Sequence, residues 1–146
     1  RASELFSKVL VSTGAAQWSE VEKISKIKNK SKIILMHCVS SYPCNLENIN
    51  FPRLEKLKSM SKEIGYSGHE FGLAPTFVAV SMGATWVERH ITLDRMMWGS
   101  DHMASIEPGG VIKMTKAIRD IEKTFGESGP RKVLGGELDK RKSLRG

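Results

Sequence analysis

Nowhere in the 146 residues is there an apolar run approaching the roughly 18 needed to cross a bilayer. The opening stretch, RASELFSKVLVSTG, also lacks the basic and apolar regions of a signal peptide. A cytoplasmic protein with no membrane partner is therefore expected. Cysteine is scarce: Cys38 and Cys44 lie six apart across Pro43 with no CxxC pair, which argues against a zinc knuckle and a disulfide framework and leaves two free thiols. Aromatic residues are few, at 7%, and none is interleaved with Lys23, Lys26, Lys28, Lys30 and Lys32. Base-stacking platforms are thus missing there. The net charge of +7 invites nucleic acid, but Ile24 and Ile27 lie among those lysines and make them the solvated face of a helix, so no nucleic-acid partner is expected. No internal repeat of fixed period stands out. The sequence starts on Arg1 rather than Met, with a strand almost at once, and so reads as a piece of something longer.

What is present suffices for one core: 40% of residues are hydrophobic and 27% charged, ordinary values for a globular domain. KVLV, Lys8 to Val11, is a short β-branched run closed by Ser12-Thr13-Gly14. Ser19 to Glu22 reads as a capping box, and Val21, Ile24 and Ile27 give the inner stripe of a helix ending near Asn29. KIILMHC, Lys32 to Cys38, is apolar nearly throughout, as in a parallel strand buried on both faces. VSSYPCNLENIN then reads as a loop, and a helix from about Phe51 carries Leu54, Leu57 and Met60. A third strand, Ile64 to Ser67, leads into LAPTFVAVSMGA, a helix apolar almost all round and so deeply packed. The fourth strand, Ala84 to His90, is followed by a long loop and by a helix from Pro108 to Phe125 whose core stripe is Ile112, Thr115, Ile118, Ile121 and Phe125. Four βα units make about half of an eight-stranded (β/α)8 TIM-type barrel, an α/β fold spanning 1–126. The basic, irregular stretch 127–146 reads as an exit linker.

Chemistry concentrates between Ile64 and His102. In a parallel barrel the carboxyl ends of the strands converge on one site, and two strands here end on His69 and His90, which makes them metal-ligand candidates. Two ligands alone are few for a metal site. Side chains alternate along a strand, so Ser67 and His69 share one side, as do Trp86, Glu88 and His90, and as do Lys8, Leu10 and Ser12. A buried Glu88 would have to be paired, either supporting His90 or contacting substrate. Lys8 and Ser12 look into one cavity, as an anionic ligand requires, or else are a surface lysine and a capping serine. At the end of the second strand and in the loop after it, His37, Ser40, Ser41 and Tyr42 are candidate ligand contacts, with a core role as the alternative for His37. Gly65, Gly68 and Gly72 are read as admitting a ligand close to the backbone. The long loop adds Asp94, Asp101 and His102; Met82 is read as core.

The strings MHCVSSYP, IGYSGHEFG, VERHITLD, WGSDHMASIEP and ELDKRKSL, in this order and spacing, resemble the sialic acid synthases, also called N-acetylneuraminate synthases. The resemblance runs from Lys8 to near the C-terminus. It implies the second half of a catalytic barrel, leading toward a C-terminal antifreeze-like domain that is not in this sequence. It further implies condensation of phosphoenolpyruvate with an open-chain N-acylhexosamine, usually N-acetylmannosamine, to a nine-carbon 2-keto acid with release of phosphate. His69 and His90 would then be ligands of a divalent metal, manganese first, with magnesium or cobalt as substitutes. Lys8, Ser12, Ser40 and Ser67 match positions that hold phosphoenolpyruvate, with Lys8 one residue closer to the STG turn than the family pattern. Tyr42 joins them as a substrate contact, Asp101 matches a carboxylate over metal and substrate, and Glu88 matches the glutamate beside the sugar. The full-length protein would be a homodimer. A different class of function is a truncated half-barrel without catalysis that serves as an assembly module, since an open parallel sheet leaves unpaired edges.

Overall fold

The computed structural model describes residues 2–27 and 32–145. A helical turn, α1 (Ala2–Leu5), precedes strand β1 (Lys8–Ser12), which leads to helix α2 (Trp18–Ser25). Strand β2 (Lys32–Cys38) is followed by α3 (Leu46–Ile49) and α4 (Pro52–Lys58), strand β3 (Ile64–Gly68) by α5 (Ala74–Ser81), and strand β4 (Trp86–Arg89) by α6 (Pro108–Thr124). A last helix, α7 (Leu138–Arg145), closes the chain. Neighbouring strands pair in parallel and in chain order, β1-β2-β3-β4, so each crossover must pass over the sheet as a helix. The sheet is strongly curled. Lys8 of the first strand and Trp86 of the last bring ammonium and ring centroid to 4.8 Å, whereas three strand spacings of about 4.8 Å each would hold those strands well apart in a flat sheet. The result is a curled half-barrel of the α/β class.

Register fixes which side chains share a face. Ser12 pairs with Met36, Met36 with Gly65 and Gly65 with Trp86; one rung on, Cys38 pairs with Ser67 and Ser67 with Glu88. These residues line the concave face, and His69 and His90 follow in phase. The opposite, convex face carries Val11, Leu35, Ile64 and Tyr66, which pack with Val21, Ile49, Leu54, Leu57 and Ala79 of the helical layer. Leu54 and Leu57 are fully buried, each worth about 1.5–3 kcal/mol in apolar area removed from water. Gly65 lacks a side chain because Met36 and Trp86 fill its side of the sheet: a Cβ there would collide with Met36 Sδ and lie 2.9 Å from Trp86 Cβ. Gly65 and Gly68 therefore serve packing within the protein rather than a ligand's approach; a Cβ on Gly68 would come within 2.9 Å of the Glu70 carboxylate and the Tyr66 ring. Gly72 sits in a turn with φ +82.

Several elements differ from their sequence reading. The capping box belongs to Gln17 and Glu20, not to Ser19 and Glu22: the Gln17 backbone N–H donates to Glu20 Oε2 at 2.7 Å. The expected end of that helix near Asn29, with Lys28 and Lys30, lies outside the described residues. The loop expected after β2 contains the turn α3, which ends where Asn50 adopts a left-handed conformation, φ 53. On α6 the residues facing inward are Val111, Met114, Ile118 and Ile121, while Ile112 and Phe125 are exposed. The apolar residues of this helix form two overlapping stripes, and packing against α5 selects one of them. Helix α5 is not buried all round, since Val78 is exposed. The tail beyond Gly126 is not wholly irregular, because it contains α7, whose residues are all exposed.

Candidate functional site

The β3–β4 ladder ends at the pair Gly68 and Arg89, so His69 and His90 are the next residue on each strand, at the carboxyl end of the sheet. Their ring centroids are 5.2 Å apart and the rings nearly perpendicular, at 76°. His69 is buried, and its Nδ1 lies 2.9 Å from the Val39 carbonyl oxygen. A carbonyl can only accept, so Nδ1 donates to it, and the ring nitrogen left to face the site is Nε2. That nitrogen is 3.4 Å from Ser67 Oγ, whose hydroxyl donates to Glu88 Oε1 at 2.7 Å. His90 is half-buried, with Nδ1 3.8 Å from Asp101 Oδ2.

Two loops complete the cluster. The Tyr42 ring touches both imidazoles, tilted against His69 with centroids 4.1 Å apart and edge-on to His90 at 5.5 Å. Burial first, then Cys38, Asp101 and Glu88, push the Tyr42 phenol above its usual range and keep it protonated. The long loop after β4 is tied back at its base, where Ile106 N–H donates to the His90 carbonyl at 2.8 Å and Thr92 N–H donates to the Ile106 carbonyl at 3.0 Å. Next to that base Ser105 Oγ donates to the Asp101 carbonyl at 2.7 Å, holding Asp101 beside His90. His102 turns away to Thr92, with 2.7 Å between Nδ1 and Oγ1.

The residues singled out in the sequence thus fall into groups. Ser67, His69, Glu88, His90, Tyr42 and Asp101 come together. Glu88 is exposed rather than buried, so the argument that it had to be paired because of burial does not apply to it. Ser12 ends β1 on the concave face, exposed, and Ser40 lies against Gly14, where any Cβ would collide with its hydroxyl; this places Ser40 beside the turn that follows Ser12. Lys8 is on the concave face but at the amino end of β1, over Trp86 and apart from the histidines. His37 is on the convex face and takes the core role: its Nε2–H donates to the Ile49 carbonyl at 2.7 Å, between the rings of Phe51 and Tyr66. Desolvation lowers its pKa and keeps it neutral. Ser41 bonds locally to the Pro43 carbonyl.

Sequence reasoning missed Cys38, whose Sγ is 3.8 Å from His69 Nδ1, and the pair Glu70–Arg89 behind the two histidines. The buried glutamate of this region is Glu70, not Glu88. Two charged residues at matching phases of adjacent strand ends were the available signal. Among the described residues no three His, Cys, Asp or Glu side chains converge as a metal cage. Two imidazoles with centroids 5.2 Å apart could still hold a divalent ion whose other positions go to water and substrate, with the Val39 carbonyl and the Asp101 carboxylate orienting the rings.

Residues 1–129 match the NeuB family. The N,N'-diacetyllegionaminic acid synthase of Campylobacter jejuni is 36% identical over 133 residues, covering 87% of this chain and 40% of the relative. Human N-acetylneuraminate-9-phosphate synthase is 34% identical over 122 residues, covering 81% and 34%. Among solved structures, the N-acetylneuraminic acid synthetase of Leptospira borgpetersenii, crystallised with citrate, superposes with a TM-score of 0.80 at 36% identity, covering 94% of this chain and 49% of that one. The chain therefore spans well under half the length of these curated relatives. No helix among the described residues is long and apolar enough to cross a membrane.

Proposed function

Because this chain belongs to the NeuB family, we propose that it carries the metal and phosphate end of a synthase site that condenses phosphoenolpyruvate with an open-chain N-acylhexosamine, N-acetylmannosamine or a relative. One observation carries the reading: Tyr42, Ser67, His69, Glu88, His90 and Asp101, from three successive βα units, meet at the carboxyl end of one curled sheet. A divalent cation held by His69 and His90, manganese by preference with magnesium or cobalt as substitutes, supplies Lewis-acid polarisation of a carbonyl oxygen.

The chain's own residues do the rest by binding and orientation. Ser12 and Ser40 donate hydrogen bonds to phosphate oxygens, Ser67 does so once its hydroxyl leaves Glu88, and Lys8 adds positive charge from the floor of the concavity. Glu88 accepts from a sugar hydroxyl, Asp101 presents its carboxylate beside His90, and Tyr42 shields the histidines from water on its side. In the overall step C3 of phosphoenolpyruvate bonds to the aldehyde carbon, whose oxygen takes up a proton. A water oxygen adds to C2, and the C2–O bond to phosphate then breaks. One phosphoenolpyruvate, one aldehyde and one water give one 2-keto acid and one phosphate. Positioning and electrostatics supply the rate, with the full-length protein acting as a homodimer.

The test is phosphate release by this chain from phosphoenolpyruvate, N-acetylmannosamine and Mn2+, with product mass as a second readout. Phosphate release tied to formation of the keto acid and lost in His90→Ala supports the reading; release that persists in that variant overturns the site. A second reading, a non-catalytic assembly module, draws on the exposure of Leu10 on the concave face of β1, at 40%. Under it the chain forms a defined oligomer by sedimentation equilibrium and shows no turnover.

A further inference from the structure

Directly behind the two histidines, on the convex face of the same strands, Arg89 and Glu70 form an ion pair at 2.7 Å with both side chains 1% exposed. Glu70 follows His69, and Arg89 stands between Glu88 and His90. The placement matters because the backbone ladder stops at Gly68 and Arg89. Beyond that rung no strand pairing holds His69 at a fixed distance from His90.

The guanidinium takes over where the ladder ends. Its Nη2 donates to the Glu70 carbonyl at 2.8 Å, and its Nη1 reaches Glu70 Oε1, the Gly72 carbonyl at 3.0 Å and Thr76 Oγ1 of α5 at 3.0 Å. Tyr66 OH donates to the other Glu70 oxygen at 2.8 Å. Two of the four arginine bonds therefore go to backbone carbonyls just after His69, and the fork is turned so far toward them that buried Nε has no protein partner. An unpartnered buried donor costs free energy, and a buried ion pair is by itself a weak source of stability. A lysine could neutralise Glu70 but could not present a planar fork to two carbonyls at once.

We propose that Arg89 and Glu70 are positioning residues that clamp the turn after His69 to the strand bearing His90, setting the separation of the two imidazoles and holding His69 Nδ1 against the Val39 carbonyl. This rests on the reading above that those imidazoles hold a divalent ion. It extends that reading to groups that touch neither metal nor substrate.

The test uses the whole chain and the charge-neutral double variant Glu70→Gln/Arg89→Met, in which the introduced amide still accepts from Tyr66. Three quantities are compared with wild type: the urea midpoint, the Mn2+ dissociation constant from electron paramagnetic resonance, and the metal-free imidazole 15N shifts. The double variant should keep a midpoint close to wild type, bind Mn2+ at least tenfold more weakly, and lose the Nδ1-protonated signature of His69. Unchanged Mn2+ affinity together with unchanged 15N shifts would overturn the clamp. Should wild type itself bind no Mn2+, the metal reading falls and the 15N shifts alone decide the clamp. If the double variant does not fold, Arg89→Lys is read by the same criteria.

Discussion

Replacing His37 by alanine separates a core histidine from the two assigned to the site. The variant leaves the Ile49 carbonyl, buried and bonded to His37 at 2.7 Å, without its donor, a loss of about 1–3 kcal/mol. It also empties the space between Phe51 and Tyr66, for which large-to-small core truncations suggest roughly 2–4 kcal/mol. The two effects overlap, so about 3–5 kcal/mol is expected, a large part of the ~5–15 kcal/mol that holds a domain folded. With a urea slope of about 2 kcal/mol/M, the midpoint should fall by roughly 2 M. Mn2+ affinity measured in low urea should stay at the wild-type value. The same residue gives a pH signature. Burial lowers the folded-state pKa of His37 below its ordinary 6.5, so the unfolded chain binds a proton that the native protein refuses. Stability from this group is thus fully present above about pH 6.5 and is lost as pH falls toward the lowered value. His37→Gln should flatten that part of the wild-type profile. A His37→Ala protein with an unchanged midpoint and weakened Mn2+ binding would refute the assignment.

Gly65→Ala should destabilise by about 1–3 kcal/mol through overpacking, because the new methyl meets Met36 and Trp86. Met36→Ala, itself costly by about 2–5 kcal/mol, should cost less in the Gly65→Ala background, a favourable coupling in a double-mutant cycle, and strict additivity would contradict the packing. Asp101→Ala should cut turnover far more than Mn2+ affinity, since its carboxylate stands 3.8 Å from His90 rather than in a ligand set; unchanged kinetics would remove Asp101 from the mechanism.

Strand and helix succession was legible because the apolar run KIILMHC and the short IGYSG lie between helices with recognisable apolar spacing. Period-two alternation was enough to put Ser67 with His69 and Glu88 with His90. It could not orient His37, whose face depends on the pairing of Met36 with Gly65 rather than on its own strand. Nor could it set the height of Lys8, which shares the concave face with Ser12 but begins the strand that Ser12 ends. The stripe on α6 was misread by one position because Val111 and Ile112, like Met114 and Thr115, offer neighbouring choices that only contact with α5 resolves. Glu70 and Arg89 escaped notice because alternation leads one to expect apolar side chains on a convex face. A buried carboxylate there becomes intelligible only once its guanidinium partner on the next strand is seen.

The most direct test of the site is Mn2+ titration of the whole chain followed by electron paramagnetic resonance, with wild type beside His69→Ala and His90→Ala. One bound ion per chain in wild type, with affinity lost in each variant while the urea midpoint stays near wild type for His90→Ala, is the expected result. Binding that survives both substitutions would contradict the assignment of the two histidines.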